Sequence, residues 1–528
     1  MLRSQELATA IRGEKDNLMT ANVGIHVLKI LIAEWAAILV FFCWLYDRHR
    51  IADGKRWLTG MLVALAGAAT LAYFDFGVFY KYGGFTNPHD LFHYYMGSKY
   101  SKEVGTFDLY ACAFLADQEE NKAYTRPTIR NLHDHTFIST REALDHAAEY
   151  KSRFTDARWR EFRKDVRYFQ TSLSNDKWQR VLWDKGYNAT PVWNMVARSL
   201  TNRIPTGNAA GMNVLLSLDI LLLAAMVALV YTAFGLDTAL FAVAVLGTNF
   251  MLSFTHSRGA LLRFDWFTLL AMAVCLLKLG RYKTAGAFMA YAAAARVFPA
   301  IFVFGLGAKW AWDVFYTRGI NRRYLGFFAA FAVTLALLVG ASALSDGGFS
   351  RWGDFAAKIR VHNSDISSTR VGFKYIFLLP FANKQLAFEQ SKVVWWAIQA
   401  VVLGCSFFLV KRIEDYEAVA FGFVPVFFLT APTFYYYAMM IVPYFFFAPK
   451  IHRISRAVGL AMMFLIFETA FLLRRAMPFG ERLFFLISCM LLMQVAYLMG
   501  LCLFETLSKR GLDSTGLENL PGSVPAAP

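Results

Sequence analysis

Long apolar segments recur along the chain from residue 24 to residue 504, separated by short basic links and by one long polar segment. About 20 apolar residues in a helix are enough to cross the ~30 Å hydrocarbon core of a bilayer. The pattern therefore predicts an all-α polytopic membrane protein with about 11–13 transmembrane helices, some of them short and broken. The predicted spans are 24–46, 57–74, 212–234, 237–255, 264–279, 323–344, 391–410, 417–432, 434–448, 457–473 and 483–504.

The long polar segment, residues 75–210, follows the second predicted span. The link before that span, 47–57, is rich in Arg and Lys and so favours the cytoplasm, which places the polar segment on the exoplasmic side. Trp159, Phe162, Val166 and Phe169 recur in it at helical spacing and predict amphipathic helices. Such helices either pack on the protein itself or lie on the membrane interface.

These boundaries divide the chain into four parts. An N-terminal segment with the first two spans covers 1–74, and the exoplasmic loop covers 75–210. A transmembrane bundle covers 211–507, and a tail, 508–528, is expected to be cytoplasmic and disordered.

One apolar stretch, 284–309, lies between two basic links that both favour the cytoplasm, yet it is too short to cross the bilayer twice. We therefore expect two half-length helices, broken where Arg296 is followed by Val297, Phe298 and Pro299, because proline cannot continue a helix. Irregular backbone at membrane depth survives where it lines a cavity, and an arginine there usually faces a polar site.

Composition agrees with the apolar pattern. Of 528 residues, 57% are hydrophobic and only 17% are charged, which excludes a soluble enzyme, a secreted disulfide scaffold and a fibrous protein. The net charge of +16 would suggest nucleic acid in a soluble protein. Here the basic residues cluster between apolar runs, as the positive-inside rule requires, so the expected partners include membrane lipids and no nucleic acid.

The most informative polar cluster lies just outside the second span and consists of one carboxylate and two histidines: Asp90, His89 and His93. Asp75 lies nearby at the exit of that span. A positioned carboxylate acts as a general base in many enzymes. The alternative is that Asp90 is the N-cap of a helix beginning at Leu91.

Five stretches, taken in order, resemble the GT-C membrane glycosyltransferases, most closely glycosyltransferase family 87, the polyprenyl-phosphate-mannose type. The resemblance covers about residues 57–450. The five stretches are Asp90 to Gly97, Phe107 to Tyr110, Tyr187 to Pro191, Arg281 to Pro299, and Leu429 to Tyr437 with Pro443.

This resemblance implies a GT-C-type fold and transfer of a sugar, mannose or another hexose or pentose, from a polyprenyl-phosphate donor to a lipid or glycan acceptor. Transfer would occur on the exoplasmic face with inversion at the anomeric carbon. Asp90 is the first candidate for the general base that takes the acceptor's proton, and Asp75 is the second. His89, His93, Tyr187 and His362 are candidates for binding the acceptor or the sugar.

The lipid phosphate that leaves needs cationic donors in a site of low dielectric. Neither a further cofactor nor a metal is expected, because there is no HExxH motif, no CxxC pair, and the His and Asp groups are dispersed in the sequence. The candidate donor-phosphate residues are His256, Arg258, Arg263 and Arg296, with Arg370, Lys374 and Arg474 to Arg475 as further options.

Three alternatives remain open from the sequence. The first is another lipid-linked GT-C enzyme, of the arabinose, aminoarabinose or protein mannosyltransferase type. The second is a lipid or sugar transporter, and the third is an assembly subunit without catalysis. Broken helices and a buried arginine suit a transporter as well, although no inverted repeat is evident. The expected location is a bacterial inner membrane with the site on the periplasmic side.

Overall fold

The computed structural model describes residues 2–49, 54–79, 81–252, 258–345, 347–364 and 368–514. The architecture is helical, as predicted, apart from one antiparallel hairpin of two three-residue strands in which Thr128 pairs with Ser139. The elements up to residue 201 are α1 (Leu2–His49), α2 (Gly54–Tyr73), α3 (Pro88–Leu91), α4 (Gly97–Lys99), α5 (Ser101–Val104), α6 (Leu109–Glu120), β1 (Thr128–Arg130), β2 (Phe137–Ser139), α7 (Thr140–Asp145), α8 (Ala147–Ser152), α9 (Asp156–Ser172), α10 (Asn175–Val181) and α11 (Pro191–Thr201).

The remaining helices run from Ala209 to Ser514. Residues 508–514 of the tail that was expected to be disordered continue the last helix, and residues 515–528 lie outside the described residues. The bundle helices are α12 (Ala209–Phe234), α13 (Leu236–Thr248), α14 (Asp265–Lys278), α15 (Tyr282–Arg296), α16 (Phe304–Trp312), α17 (Arg322–Ser345), α18 (Ser350–Ser364), α19 (Phe373–Leu378), α20 (Lys384–Gln390), α21 (Lys392–Leu409), α22 (Asp415–Phe421), α23 (Phe423–Leu429), α24 (Ile441–Phe447), α25 (Ile454–Ala476) and α26 (Glu481–Ser514).

Seven helical segments within the described ranges are long and apolar enough to cross a membrane. Several of them, such as α12, α17 and α21, present large apolar side chains outward, and Leu337 on α17 is 68% exposed. Apolar helices with exposed apolar faces are typical of lipid contact, so the chain is a multi-pass membrane protein. The count of 11–13 spans stays a prediction. The seven segments are Asn22–His49, Ala209–Phe234, Phe298–Tyr316, Arg322–Ser345, Lys392–Arg412, Ile454–Ala476 and Glu481–Leu507.

The predicted break after Arg296 is confirmed. Helix α15 ends at Arg296, and Val297 adopts a φ of 61°, a region that β-branched residues rarely occupy. The chain then continues as a 3₁₀ turn from Phe298 to Val303 before α16 begins.

The second piece is longer than the half-length helix that we predicted, because it continues to Tyr316 and reaches 19 residues. The sequence interpretation ended this piece at Lys309, whose charge it assigned to a basic link. In the structure the Lys309 ammonium lies 2.5 Å from a carboxylate oxygen of Asp415 and donates a 2.6 Å hydrogen bond to the Ile413 carbonyl. The charge is thus compensated by a neighbouring helix, and the lysine does not end the segment.

Small residues bring the bundle helices close together, as is common in membrane proteins. A Cβ added to Gly247 on α13 would lie 2.1 Å from the Ala69 carbonyl oxygen of α2. A Cβ added to Gly286 on α15 would lie 2.3 Å from the Phe327 carbonyl oxygen of α17. The second contact holds α15, whose last residue is Arg296, against α17.

The polar segment packs on the protein itself, which decides between the two alternatives for its amphipathic helices. On α9 the side chains of Phe162, Val166 and Phe169 are buried, and Phe169 meets Phe92 edge to face at 5.7 Å. A buried charge network adds to this core: Lys99 lies 2.7 Å from Asp165 of α9. Helix α9 therefore packs against the segment that carries Asp90 and stabilises it.

Candidate active site

Asp90 lies in the short helix α3 and does not cap it. The N-cap is Asn87, whose side-chain oxygen accepts a 3.1 Å hydrogen bond from the Asp90 backbone N–H. The alternative assignment of Asp90 as the N-cap is therefore wrong, because Pro88 starts the helix three residues before the expected position. The freed carboxylate makes a 2.8 Å ion pair with Nε of Arg263.

Arg263 is held by Asp219 of α12 and by the ring of Tyr94. Asp219 of α12 accepts hydrogen bonds from the backbone N–H groups of Arg263 and Phe264, at 2.9 and 3.0 Å. The guanidinium lies over the ring of Tyr94, 4.1 Å from its centroid. Asp219 thus fixes the backbone at Arg263, and the Tyr94 ring supports the guanidinium that pairs with Asp90.

Asp90 and Arg263 line a polar cavity of about 460 Å³. Its charged side chains include more cations than carboxylates, so it suits an anionic group. The polar and aromatic lining residues are Lys81, Tyr82, Asn87, His89, Asp90, His93, Tyr94, Arg130, Trp183, Asp184, Lys185, Asn188, Arg263, His362, Thr369, Arg370, Thr433, Phe434, Tyr435, Tyr436 and Phe479.

Burial sets the protonation of the acidic and basic groups here. Burial raises the pKa of the Asp90 carboxyl above its usual range, and the nearby Arg263 and His93 oppose that rise. A carboxylate with a raised pKa is a better proton acceptor. Burial, with further help from His93, lowers the pKa of His89 to about 3, and burial beside Arg370 lowers the pKa of His362 to about 3. Both rings are therefore neutral at neutral pH.

A second, larger cavity of about 890 Å³ adjoins the first. Most of its lining is apolar, and it shares Asn188, His362, Arg370, Thr433 and Tyr436 with the polar cavity. The apolar residues that line it include Val297, Phe298, Ile301, Trp352, Phe355, Ile359, Leu378 and Leu429. The two cavities together offer a polar chamber beside an apolar one.

Arg296 lines the apolar cavity at the helix break. Its side chain is only 7% exposed, and among the described residues Nε and Nη2 have no hydrogen-bond partner, while Nη1 donates only to the neighbouring Ala295 carbonyl at 3.2 Å. Because a buried N–H group without a hydrogen-bond partner is costly, Nε and Nη2 of this arginine favour an anionic group in the cavity that can accept from them. Arg370, also buried, instead donates to the carbonyls of Ala431 and His362.

Three predicted site residues lie away from the cavities. Asp75 is buried and forms an ion pair with Lys29 of α1. Arg258 is buried, donates to the carbonyls of Tyr73 and Leu246, and stacks on the Tyr73 ring. Tyr187 packs its ring against Tyr94, and His256 lies outside the described residues. Asp75 and Arg258 therefore join helices, and the structure does not bring them to Asp90.

Asp184 is one of several cavity residues that the sequence analysis missed, with Lys81, Arg130 and Lys185. It follows α10, more than 90 residues after Asp90, and its carboxylate oxygen lies 4.0 Å from Nε2 of both His89 and His93. The three potential ligand atoms lie within 4.8 Å of one another, so this cluster is where a metal could bind among the described residues. The one available signal was the four-residue spacing of the two histidines, which puts both on one helical face.

Of the five stretches on which the resemblance was based, the third and fourth contact Tyr94 of the first, and the second and fifth contact residues beside it. Its ring lies 5.5 Å from the ring of Tyr187 and 5.7 Å from the Arg296 guanidinium. The neighbouring His93 is hydrogen-bonded to the Tyr110 hydroxyl at 2.7 Å. From the fifth stretch, the Tyr435 ring lies 5.5 Å from the Arg263 guanidinium.

The fold and the two cavities define a helical multi-pass membrane protein with a buried carboxylate–arginine pair beside an apolar cavity. Comparison of the chain with protein family models, with curated proteins and with solved structures returns no match.

Proposed function

We propose that this protein is a membrane glycosyltransferase of the GT-C type. It transfers a sugar from a polyprenyl-phosphate donor to a lipid or glycan acceptor on the exoplasmic face, with inversion. The observation that carries the proposal is the ion pair of Asp90 and Arg263 in a polar cavity, next to an apolar cavity where Arg296 has two N–H groups without a hydrogen-bond partner among the described residues.

The two cavities match the two chemical parts of the donor. The prenyl chain is apolar and fits the 890 Å³ cavity, which is lined by residues such as Ile301, Ile359 and Leu378. The sugar and the acceptor are polar and fit the 460 Å³ cavity with Asp90 and His89. The phosphate between these parts then lies near Arg296 and Arg370, two cations in a site of low dielectric.

In the reaction, the acceptor hydroxyl attacks the anomeric carbon of the sugar while Asp90 takes the hydroxyl proton. The bond between the anomeric carbon and the phosphate oxygen breaks, and its electron pair leaves with the polyprenyl phosphate. Arg263 holds the Asp90 carboxylate in place, and Arg296 stabilises the charge that grows on the phosphate. Proton acceptance by a positioned carboxylate contributes about 10²–10⁴-fold to the rate.

The proposal is tested by incubating the purified protein with a panel of polyprenyl-phosphate sugars and a membrane lipid extract as acceptor. We expect one donor to be consumed, with release of polyprenyl phosphate and appearance of the sugar on a lipid or glycan. If no donor is consumed and the protein in liposomes instead shows substrate counterflow, the protein is a transporter. If neither activity is found, the proposal fails, and the non-catalytic alternative is favoured.

A further inference from the structure

The side-chain cluster of His89, His93 and Asp184 offers three metal-ligating groups from two distant parts of the chain. The histidines are four residues apart, and their ring centroids are 5.0 Å apart. Asp184 joins them from the loop after α10, with its Oδ2 atom 4.0 Å from Nε2 of each ring.

The hydrogen bonds of His93 fix which ring nitrogen is free to bind a cation. Its Nδ1 lies 2.7 Å from the His89 carbonyl oxygen, and because a carbonyl can only accept, Nδ1 carries the proton. The lone pair is therefore on Nε2, the atom that faces Asp184 and that now accepts from the Tyr110 hydroxyl. Histidines that bind metals commonly donate their second N–H to a backbone carbonyl in this way.

The carboxylate of Asp184 is oriented as well. One oxygen, Oδ1, accepts a 2.7 Å hydrogen bond from the Lys185 backbone N–H, which leaves Oδ2 directed to the two rings. The Asp184 side chain is 49% exposed, whereas that of His93 is buried, so the cluster is open to the polar cavity on the aspartate side. An ion from solution can reach it.

We propose that His89, His93 and Asp184 form a site for a divalent transition-metal ion of the zinc class. Two imidazole nitrogens and one carboxylate oxygen suit zinc rather than magnesium or calcium, which prefer oxygen ligands. The ligand atoms are within 4.8 Å of one another, so binding an ion with bonds of about 2.0–2.2 Å requires the three side chains to close and the Tyr110 hydroxyl to release Nε2 of His93. With three protein ligands, a tetrahedral ion would keep a fourth position for a water or a substrate.

The site does not depend on the proposed sugar transfer, and its test uses no sugar. The full-length protein in detergent is stripped with a chelator, and Zn²⁺ binding is measured by titration calorimetry and by metal analysis after dialysis. We expect one ion per chain. His89→Gln and Asp184→Asn should each weaken Zn²⁺ binding at least ~100-fold, because each removes a metal ligand. Loss of a residue that only hydrogen-bonds to a ligand already weakens metal binding about 10–100-fold.

The matched control is His146→Gln, since His146 is an exposed histidine on the same polar segment, 3.7 Å from Glu149, and should leave binding unchanged. Bound ion should also raise the midpoint of thermal unfolding of the wild-type protein and not that of Asp184→Asn, which separates site loss from misfolding. The proposal is overturned if the wild-type protein binds no stoichiometric Zn²⁺. It is equally overturned if Asp184→Asn binds Zn²⁺ as tightly as the wild type.

Discussion

Substitution Asp90→Asn should lower the rate of sugar transfer by about 10²–10⁴-fold, the usual contribution of a general base. Asparagine has the same shape and keeps an oxygen that can accept from Arg263, whose Nε lies 2.8 Å from the carboxylate in the wild-type protein. It cannot take the proton of the acceptor hydroxyl. The measurement is the initial rate of donor consumption, at saturating donor and acceptor, in variant and wild type.

The control for this substitution is Asp176→Asn, which changes an exposed aspartate on α10 that pairs with Arg180 at 2.9 Å. An exposed ion pair of this kind contributes little to stability, so rate and thermal unfolding should match the wild type. Retention of more than a third of the wild-type rate by a folded Asp90→Asn variant would remove Asp90 from the reaction.

The second large effect is expected at the helix break. Arg296→Met should lower the rate by about 10²–10³-fold, comparable to losing one donor that stabilises transition-state charge. It should not lower the midpoint of thermal unfolding, because the substitution removes a buried charge whose Nε and Nη2 have no hydrogen-bond partner among the described residues. The measurements are donor consumption at several donor concentrations and thermal unfolding in the same detergent.

This pairing of lost activity with preserved stability separates a ligand-binding arginine from a structural one. The matched control is Arg281→Met, because Arg281 is exposed at the opposite end of the same helix, α15, and should leave the rate unchanged. Loss of stability in Arg296→Met with a normal rate in the folded fraction would contradict the account of donor-phosphate binding.

The positions of the long helices could be predicted because the length of an apolar run is itself the signal. The predicted span 323–344 corresponds to the observed Arg322–Ser345, and the predicted 391–410 to Lys392–Leu409. The break after Arg296 was equally visible, because Pro299 marks it in the sequence.

The partners of buried charges could not be predicted, because they come from residues far apart in the chain. Asp75 was a candidate base until the structure paired it with Lys29, a lysine inside the first apolar run. Arg258 and Arg263 are five residues apart in one loop and look equivalent in sequence. The structure directs the first to backbone carbonyls and the second to Asp90.

The same limit applies to Asp184. Nothing in the sequence connects this residue to His89 or His93, because the fold of the polar segment, and above all the packing of α9 and α10 against the start of that segment, is what brings them together. Local patterns thus predicted where the candidate site begins, and long-range packing determined which groups complete it.

The most direct test of the central claim is a structure of the protein with a polyprenyl phosphonate-sugar analogue that cannot be cleaved. The account predicts the phosphonate against the Arg296 guanidinium, the prenyl chain in the cavity lined by Ile359 and Leu378, and the anomeric carbon facing Asp90. Binding of the analogue outside both cavities, or with the sugar turned away from Asp90 and the phosphonate out of reach of Arg296, would contradict it.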